Sequence, residues 1–299
     1  MTDIGKLATE QRNAASEHID RLPTLEMVHL INNEDKKVAE AVDKVCPQIA
    51  EAIDGIYARM QRGGRLIYTG CGTSGRLGVL DAAECPPTYS TDPERVRAVI
   101  AGGYGAMFAA VEGAEDDRSL GAENLKALHL TEKDSVVGIA ASGRTPYVLG
   151  ALDYARSVGA LTVAVTCCPG CEAEAHADIA ISPAPGPEVI TGSTRMKSGT
   201  AQKMILNMLS TGVMVKLGKV YGNLMVDVKP SNEKLVRRCV TIVCEATGVG
   251  EDEAVAALEK CGYVCKQAIV MLLRGVDAPR AAEMLNAAGG RVAAALEEK

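Results

Sequence analysis

Large aromatic side chains are nearly missing from the 299-residue sequence, which has no Trp, one Phe and eight Tyr. The core must therefore be packed by aliphatic side chains and Ala, which suits helices laid on a parallel sheet. Platforms that stack single-stranded nucleic acid are disfavoured, because they are built from aromatic rings. The net charge is −6 and no basic run follows the pattern of a phosphate backbone. A nucleic-acid partner is not expected.

Signals for membrane insertion and export are missing as well. No stretch approaches the apolar length that spans a bilayer. The N-terminal residues MTDIGKLATEQRN lack the apolar core of a signal peptide. We therefore expect a cytoplasmic protein without a membrane partner. Thiols stay reduced in that compartment, so the ten cysteines are not expected to form disulfides.

The cysteines and histidines do not predict a metal site. Cys167, Cys168 and Cys171 contain a single C-x-x-C, and Cys261 and Cys265 are four apart. Zinc sites usually combine two short, regular pairs, and none of the four histidines completes one. Buried or incidental free thiols are the better interpretation. A structural metal is therefore not expected.

Short apolar runs alternate with helix-length segments after a helical stretch at residues 8–60. The runs predict strands at residues 65–68, 96–100, 135–141, 161–166 and 179–182. The other segments predict helices at residues 76–85, 106–128, 146–158 and 197–217. This alternation predicts an α/β fold with a doubly wound, five-stranded parallel sheet of the flavodoxin-like type.

The chain is predicted to have three parts. Residues 1–54 form an N-terminal helical segment, and residues 55–231 form the α/β domain. After Pro230, Ala-rich helical segments are interrupted by glycines. Residues 232–299 are therefore predicted to form a small C-terminal domain of three or four helices.

The turn after the first predicted strand has the pattern G-x-G-x-x-G at residues 70–75. A dinucleotide site also needs an acidic residue at the end of the second strand, and residues 101–103 are Ala-Gly-Gly. A P-loop needs Lys and then Ser or Thr, where this chain has Arg76 and Leu77. Both nucleotide interpretations therefore lack an essential polar group.

An anion site remains, because backbone N–H groups at a helix N-terminus attract negative groups. Thr73 and Ser74 add hydroxyl donors, and Ser142 and Thr145 follow the third strand in a second turn. Adjacent parallel strands end at the same edge of a sheet, where ligands bind. A single such turn is better explained by helix capping. The pair on one edge favours a cradle for a phosphomonoester.

These turns resemble the phosphosugar-binding turns of the sugar isomerase (SIS) fold, through residues 72–74 and 142–145. Longer stretches resemble the N-acetylmuramic acid 6-phosphate etherase family nearly residue for residue. They are RLGVLDAAECPPTY (76–89), AASGRTPY (140–147), TGSTRMKSGTAQ (191–202) and GNLMVDVKPSNEKL (222–235). With the N-terminal TEQRN and LPTLEMVHLINNEDK, the resemblance covers essentially the whole chain.

The resemblance implies removal of D-lactate from the C3 ether of a phosphorylated muramic sugar by elimination and hydration. Such chemistry needs two positioned acid–base groups and no redox cofactor. The family match implies that Glu84 is the acid and Glu115 the base. From the residues alone, Glu84 is a solvated charge at a helix end. Glu115 alone belongs to a wet acidic run.

The predicted surroundings of Glu84 fit a general acid. The prolines at residues 86–87 are expected to stop the helix directly after it. An apolar surround favours the protonated carboxyl that a general acid needs. The residues expected to form it are Leu80, Ala82, Ala83 and Cys85.

By the same resemblance, Ser193, Thr194 and Lys197 contribute to the sugar-phosphate pocket, and Arg144 holds an anionic group of the substrate. Lys197 is equally explained as a helix-terminal charge, and Arg144 as a solvent-facing residue. SIS-fold enzymes commonly dimerise with sites near the interface. The resemblance therefore implies a homodimer that binds a small phosphosugar.

Three other classes share this fold. A sugar-phosphate sensor like the glucokinase regulatory protein has two tandem SIS units in a longer chain, and here the unit occurs once. An aldose–ketose isomerase does not require the paired Glu84 and Glu115. An SIS transcriptional regulator needs a basic helix-turn-helix, and residues 1–60 are not basic enough. The etherase interpretation is therefore preferred.

Overall fold

Five short strands form one parallel sheet in the computed structural model, which describes residues 8–228, 230 and 232–297. The strands are Leu66–Gly70 (β1), Val96–Ile100 (β2), Ser135–Ile139 (β3), Leu161–Val165 (β4) and Ile179–Ile181 (β5). Their order is β2-β1-β3-β4-β5, and all neighbours are parallel. This is the flavodoxin-like order. The predicted doubly wound fold is confirmed.

Helices precede, separate and follow the strands. Those before residue 217 are Thr24–Asp43 (α1), Cys46–Gln61 (α2), Gly72–Tyr89 (α3), Arg118–Ala127 (α4), Pro146–Ser157 (α5), Glu172–Ala175 (α6) and Lys197–Lys216 (α7). Those after it are Glu233–Thr247 (α8), Glu251–Lys260 (α9), Cys265–Arg274 (α10), Ala278–Ala287 (α11) and Val292–Glu297 (α12). β1, β3 and β4 are buried at every position. Both faces of the sheet are therefore covered.

Contacts divide the described chain into two compact units. The first unit takes in the chain up to Ala83 together with Glu94–Ser210. The second takes in Glu84–Pro93 and the chain from Thr211 onward. The division predicted at residues 54 and 231 stays a prediction. Residues 1–7, 229, 231 and 298–299, which belong to its three parts, lie outside the described residues.

The second unit has an aliphatic core of its own, in which α10 packs against α8, α9, α11 and α12. The prediction of three or four helices for its C-terminal part is too low, since five lie within residues 232–297. Each break falls at a glycine with positive φ, namely Gly248, Gly262, Gly275 and the Gly289–Gly290 pair. Four such breaks separate five helices, because glycine adopts the left-handed conformation that ends a helix.

Two glycines, one at the end of the first turn and one further along α3, allow this helix to pack closely on the sheet. A Cβ atom at Gly75 would lie 2.6 Å from the carbonyl oxygen of Gly70, and one at Gly78 would lie 2.9 Å from the Cβ of Tyr68. Both distances are too short for real carbon contacts, so any side chain here would displace the helix. Gly75, the last glycine of the G-x-G-x-x-G pattern, thus serves the packing of helix on strand.

Three predicted boundaries are wrong for identifiable reasons. The N-terminal stretch is two helices, α1 and α2, preceded by short 3-10 turns. α3 continues past Pro86 and Pro87, because proline fixes φ near its helical value and forfeits only two hydrogen bonds of the last turn. The predicted helix at residues 106–128 begins only at Arg118, since Asp117 caps it by accepting the N–H groups of the second and third helical residues.

Candidate active site

A cavity of about 210 Å³ lies in the first unit, next to the turn that follows β1. Its lining residues come from that turn, from α3 and from the loop before α4. They are Cys71, Gly72, Arg76, Ala101, Ala106, Ala109, Ala110, Val111, Glu112, Gly113, Ala114 and Glu115. Of the predicted site residues, Glu115 is therefore in this cavity.

The two hydroxyl-rich turns start side by side, as the parallel sheet predicts. Gly70, the last residue of β1, pairs with Ile139, the last residue of β3. The chain order reverses between these two strands, which makes this edge the topological switch point of the sheet. Thr73 and Ser74 follow β1, and Ser142 and Thr145 are in the segment after β3.

The main chain of Glu115 joins the cavity to the second turn. Its carbonyl oxygen accepts the N–H group of Tyr147, at 3.0 Å, in the first turn of α5. That N–H has no partner within its own helix, so the bond fixes the loop to the helix end. The Glu115 side chain is exposed. Its carboxylate is therefore open to a ligand, while its backbone is held.

Cys71 lies at the start of the cavity-lining turn and is half-buried. Burial and the nearby carboxylates of Glu115 and Asp116 raise the pKa of the Cys71 thiol to about 12. A thiolate, and not a thiol, is the nucleophilic form of cysteine. Cys71 is therefore a neutral group at neutral pH.

Glu84 belongs to the second unit and is exposed. The apolar surround predicted for its carboxyl is wrong for the described chain. Ala82 and Cys85 are buried, whereas Leu80 is 44% exposed and Ala83 is exposed too. Helical spacing explains the exposure of Leu80, since residues four apart share a face and Leu80 lies one turn before the exposed Glu84.

Several predicted hydroxyl groups are available to a ligand. Thr145 is the N-cap residue of α5, yet its side chain makes no capping hydrogen bond. Thr73, Ser142, Ser193 and Thr194 are partly exposed as well. Helix capping does not account for the Thr145 hydroxyl, which favours the cradle interpretation for this turn.

The loop before α7 lies beside the first turn. A Cβ atom at Gly199 would lie 3.5 Å from the Cγ2 of Thr73 and 3.6 Å from the carbonyl oxygen of Thr194. Thr73, Gly199 and Thr194 are thus neighbours. The structure brings the 191–199 loop and the first turn together, as the predicted pocket requires.

Ser74 is buried and hydrogen-bonded to α7. Its hydroxyl donates to the Oε1 of Gln202 at 2.9 Å. The Nε2 of Gln202 is buried without a partner, and so is the Oγ of Ser198, one turn away on the same helix. If the Gln202 side-chain amide turned over, so that its oxygen and nitrogen exchanged places, Nε2 would donate a hydrogen bond to the Ser74 hydroxyl. The hydroxyl hydrogen of Ser74 would then be free for another acceptor.

Lys197 is fully buried at the first position of α7, with 1% of its surface exposed. Its ammonium donates to a carboxylate oxygen of Glu34 at 2.8 Å and to the carbonyl oxygen of Pro185 at 3.0 Å. A cation is unfavourable at a helix N-terminus. The carboxylate of Glu188 offsets this, because it accepts the N–H groups of Lys197 and Ser198 at 2.9 Å each.

Glu34 is itself buried, and its carboxylate accepts hydrogen bonds from several side chains. Burial raises its pKa, but hydrogen bonds from Lys197, Lys37 and Asn13 outweigh burial and lower the pKa of Glu34 to about 2. The carboxylate is therefore charged at neutral pH. The Lys197 ammonium and this carboxylate form a buried ion pair.

Arg144, in the second turn, is half-buried. Its Nη1 atom is buried and has no hydrogen-bond partner in residues 8–228, 230 and 232–297. A guanidinium donor that is neither paired nor solvated is costly. This arrangement fits the predicted capture of an anionic group better than a solvent-facing side chain.

Some functional candidates were missed at the sequence level. Arg76 lines the cavity with Glu115, and its position was visible where a P-loop would have lysine. Gln202 and Glu188 contact the predicted residues Ser74 and Lys197. No sequence pattern indicates these contacts, since the first joins residues 128 apart and the second spans nine residues of irregular chain before α7.

Neither a cluster of metal ligands nor a membrane-spanning helix occurs in residues 8–228, 230 and 232–297. No group of three or more His, Cys, Asp or Glu side chains there could hold a metal ion. Among the same residues, no helix combines the length and the apolar character needed to cross a bilayer.

Parts of the chain are similar to known sugar-phosphate domains. Residues 48–156 match the family model of the glucokinase regulatory protein N-terminal SIS domain, and residues 107–212 match the SIS domain model. A phosphoheptose isomerase structure from Francisella tularensis aligns with a TM-score of 0.48 and 18% identity, covering 64% of this chain and 98% of that chain.

Curated relatives match over nearly the full length. N-acetylmuramic acid 6-phosphate etherase 1 of Vibrio cholerae is 58% identical over 297 residues, covering 99% of each chain. The N-acetylmuramic acid 6-phosphate etherase of Clostridium beijerinckii is 56% identical, covering 99% of this chain and 97% of its own. At this identity and coverage, the chain belongs to the N-acetylmuramic acid 6-phosphate etherase family.

Proposed function

We propose that this chain cleaves the D-lactyl ether of N-acetylmuramic acid 6-phosphate, giving N-acetylglucosamine 6-phosphate and D-lactate. The full-length similarity to the etherase of Vibrio cholerae carries this proposal. The cavity supports it, because an exposed carboxylate lies there beside a turn of the phosphosugar-binding type. The reaction serves the recycling of cell-wall amino sugars.

The reaction runs by elimination followed by hydration. The open-chain aldehyde acidifies the C2 hydrogen, and a base removes that hydrogen as a proton. The electron pair forms the C2=C3 double bond as the C3–O bond breaks, and an acid protonates the departing lactate oxygen. Water then adds its hydroxyl to C3 and a proton to C2. Two acid–base groups suffice, and no electron leaves the substrate.

Glu115 is the base in this scheme. Its carboxylate is exposed and lines the cavity, and its main chain is anchored to Tyr147. An anchored backbone limits how far the carboxylate moves, which favours a fixed distance to the C2 hydrogen. Glu112 lines the same cavity, but only Glu115 matches the family's base.

Glu84 is the acid that protonates the departing ether oxygen. It matches the family's acid within the stretch RLGVLDAAECPPTY, and its side chain is accessible in the single chain. A general acid works best when it is shielded from water. A second copy of the chain would supply that enclosure.

The phosphate binds at the convergence of the hydroxyl turns. Partly exposed hydroxyls of Thr73, Ser142 and Thr145 donate to it, together with N–H groups at the start of α3. Ser193 and Thr194 belong to the adjoining loop, as the contact through Gly199 supports. In the second turn, the spare guanidinium donor of Arg144 adds positive charge.

Ser74 and Lys197 contribute to the same pocket in different ways. Ser74 donates its hydroxyl hydrogen to phosphate once the Gln202 amide turns and donates to Ser74 instead. Lys197 acts by position, because its buried pair with Glu34 fixes the first turn of α7 and hence Ser198 and the loop before it.

Incubation with N-acetylmuramic acid 6-phosphate in heavy-oxygen water tests the reaction. We expect D-lactate without label and a sugar product that carries one heavy oxygen at C3, since water adds to the sugar double bond. The variant Glu84→Gln should release lactate slowly and still exchange the C2 hydrogen with solvent, because the base remains.

Label in the lactate would mean cleavage on the lactyl side of the ether and would overturn the mechanism. Tight binding of sugar phosphate with no lactate released would favour a sensor instead. The match of residues 48–156 to the glucokinase regulatory protein domain makes that the second candidate.

We also propose that the chain works as a cytoplasmic homodimer. Tyr104 is 83% exposed and Phe108 is 78% exposed, and their rings meet edge to face at 5.5 Å between centroids. Val111 and Leu80 add further exposed apolar surface in the same unit. An exposed aromatic patch of this kind is typical of a protein interface. Val111 also lines the cavity of Glu115, so this patch borders the proposed site.

Replacing Phe108 by Ser should weaken the dimer. A buried interface aromatic contributes about 2 kcal/mol or more when it is truncated, which corresponds to at least a roughly 30-fold weaker association. Light scattering over a dilution series measures the shift, with Leu273→Ser as a control at another exposed apolar residue. A wild-type chain that is fully active as a monomer would contradict the proposal.

A further inference from the structure

Arg76 supplies positive charge to the cavity of Glu115. Of the described residues that line this cavity, Arg76 alone is cationic, whereas Glu112 and Glu115 are acidic. It follows the glycine turn within the first two turns of α3, so a helix fixes its backbone. The cavity thus presents one guanidinium together with the carboxylate that we assign as the base.

The guanidinium is held in place by neutral groups. Its Nε donates to the carbonyl oxygen of Met107 at 3.1 Å, and its Nη2 donates to that of Ala109 at 3.5 Å. A guanidinium has five N–H donors in one plane. Two are used on carbonyls, which orient the plane without neutralising the charge, and the others remain for a ligand.

The substrate of the proposed reaction carries two anionic groups, a phosphate at C6 and the carboxylate of the lactyl group. The ether oxygen sits on C3, next to the carbon that loses its proton to Glu115. The lactyl group therefore stays near the base, whereas the phosphate is at the far end of the sugar chain. A cation in the cavity of the base is closer to the lactyl carboxylate.

We propose that Arg76 binds the lactyl carboxylate and so determines specificity for the lactyl ether over other sugar phosphates. This inference rests on the proposed function. A planar guanidinium with spare donors matches a carboxylate in a two-bond arrangement. The sugar product has no carboxylate, so the same contact separates substrate from product and favours release of the product.

Binding in a slowed background tests the proposal. In Glu115→Gln, we expect the added change Arg76→Gln to weaken binding of N-acetylmuramic acid 6-phosphate roughly 10- to 100-fold, the loss expected for hydrogen bonds to a charged group. Binding of N-acetylglucosamine 6-phosphate should change less than about 2-fold, since it has no lactyl group. Calorimetry measures both ligands. Arg76→Lys keeps the positive charge but loses the planar arrangement of donors. Its affinity for N-acetylmuramic acid 6-phosphate should lie between the affinities measured with Arg76 and with Gln at this position.

Equal weakening of both ligands would overturn the proposal, because Arg76 would then bind phosphate or only hold the 107–109 loop. Unchanged binding of both would overturn it as well. A wild-type protein that releases no lactate would refute the proposed function separately, and the two affinities would still decide whether Arg76 distinguishes the ligands. Thermal melting of each variant verifies that it is folded.

Discussion

Glu115→Gln is expected to lower kcat for lactate release by roughly 10²- to 10⁴-fold, the usual contribution of a positioned base. The amide cannot accept the C2 proton, and it has nearly the shape of the carboxylate. Its main-chain bond to Tyr147 does not involve the side chain, so the fold should persist. Exchange of the C2 hydrogen with deuterated solvent should stop together with lactate release.

Glu112→Gln is the matched control for this experiment. Glu112 lines the same cavity and is exposed like Glu115, so the substitution removes the same charge from the same space. We expect less than about a 5-fold change in kcat, because electrostatic effects between exposed groups are small. A larger loss of kcat in Glu112→Gln than in Glu115→Gln would mean that Glu112, and not Glu115, is the base.

Glu34→Gln is expected to lower the free energy of unfolding by roughly 3–5 kcal/mol, the cost of removing one partner of a buried ion pair. The Lys197 ammonium is 1% exposed. Without the carboxylate, its acceptor among the other described residues is the carbonyl oxygen of Pro185, at 3.0 Å, which carries no balancing charge. Urea unfolding measures the loss.

Two further variants identify the cause. Lys37 bonds the same carboxylate, but its side chain is 57% exposed, so Lys37→Met should cost less than about 1 kcal/mol. Adding Lys197→Met to Glu34→Gln removes the stranded charge and should recover part of the loss. A double variant less stable than Glu34→Gln alone would contradict a charge-based explanation.

The same pair gives acid stability a defined pH window. The pKa of Glu34 is lowered from 4.5 to about 2, so the folded state holds the charged form more strongly than the unfolded state does. Its stabilising contribution is complete above about pH 4.5 and is lost as the pH falls toward 2. The stabilities of wild type and Glu34→Gln should therefore converge in that interval.

The strands were predictable because each is a short apolar run that ends at a turn. β2 has the predicted bounds, Val96–Ile100, and the other strands differ by a few residues at their ends. Parallel pairing then placed the turns after β1 and β3 at one edge. The apolar pattern of the sequence and the rule that adjacent parallel strands end at one edge were therefore sufficient to place these two turns together.

Loop geometry and side-chain burial were not predictable in the same way. The segment with Glu115 has helix-forming composition, yet Gly113 adopts φ 76° and Asp117 starts the helix later. The burial of Lys197 depends on Glu34, far away in the chain. Such features arise from packing between distant segments, and propensity does not encode them.

The close fit of α3 on β1 affects how other genomes are annotated. A helix that lies this near a strand admits only glycine at positions such as Gly75 and Gly78, whatever the protein binds. A search with G-x-G-x-x-G alone will therefore collect sugar-phosphate enzymes among the dinucleotide-binding ones. The acidic residue after the second strand is the feature that separates the two groups, because it contacts the ribose and has no part in the packing.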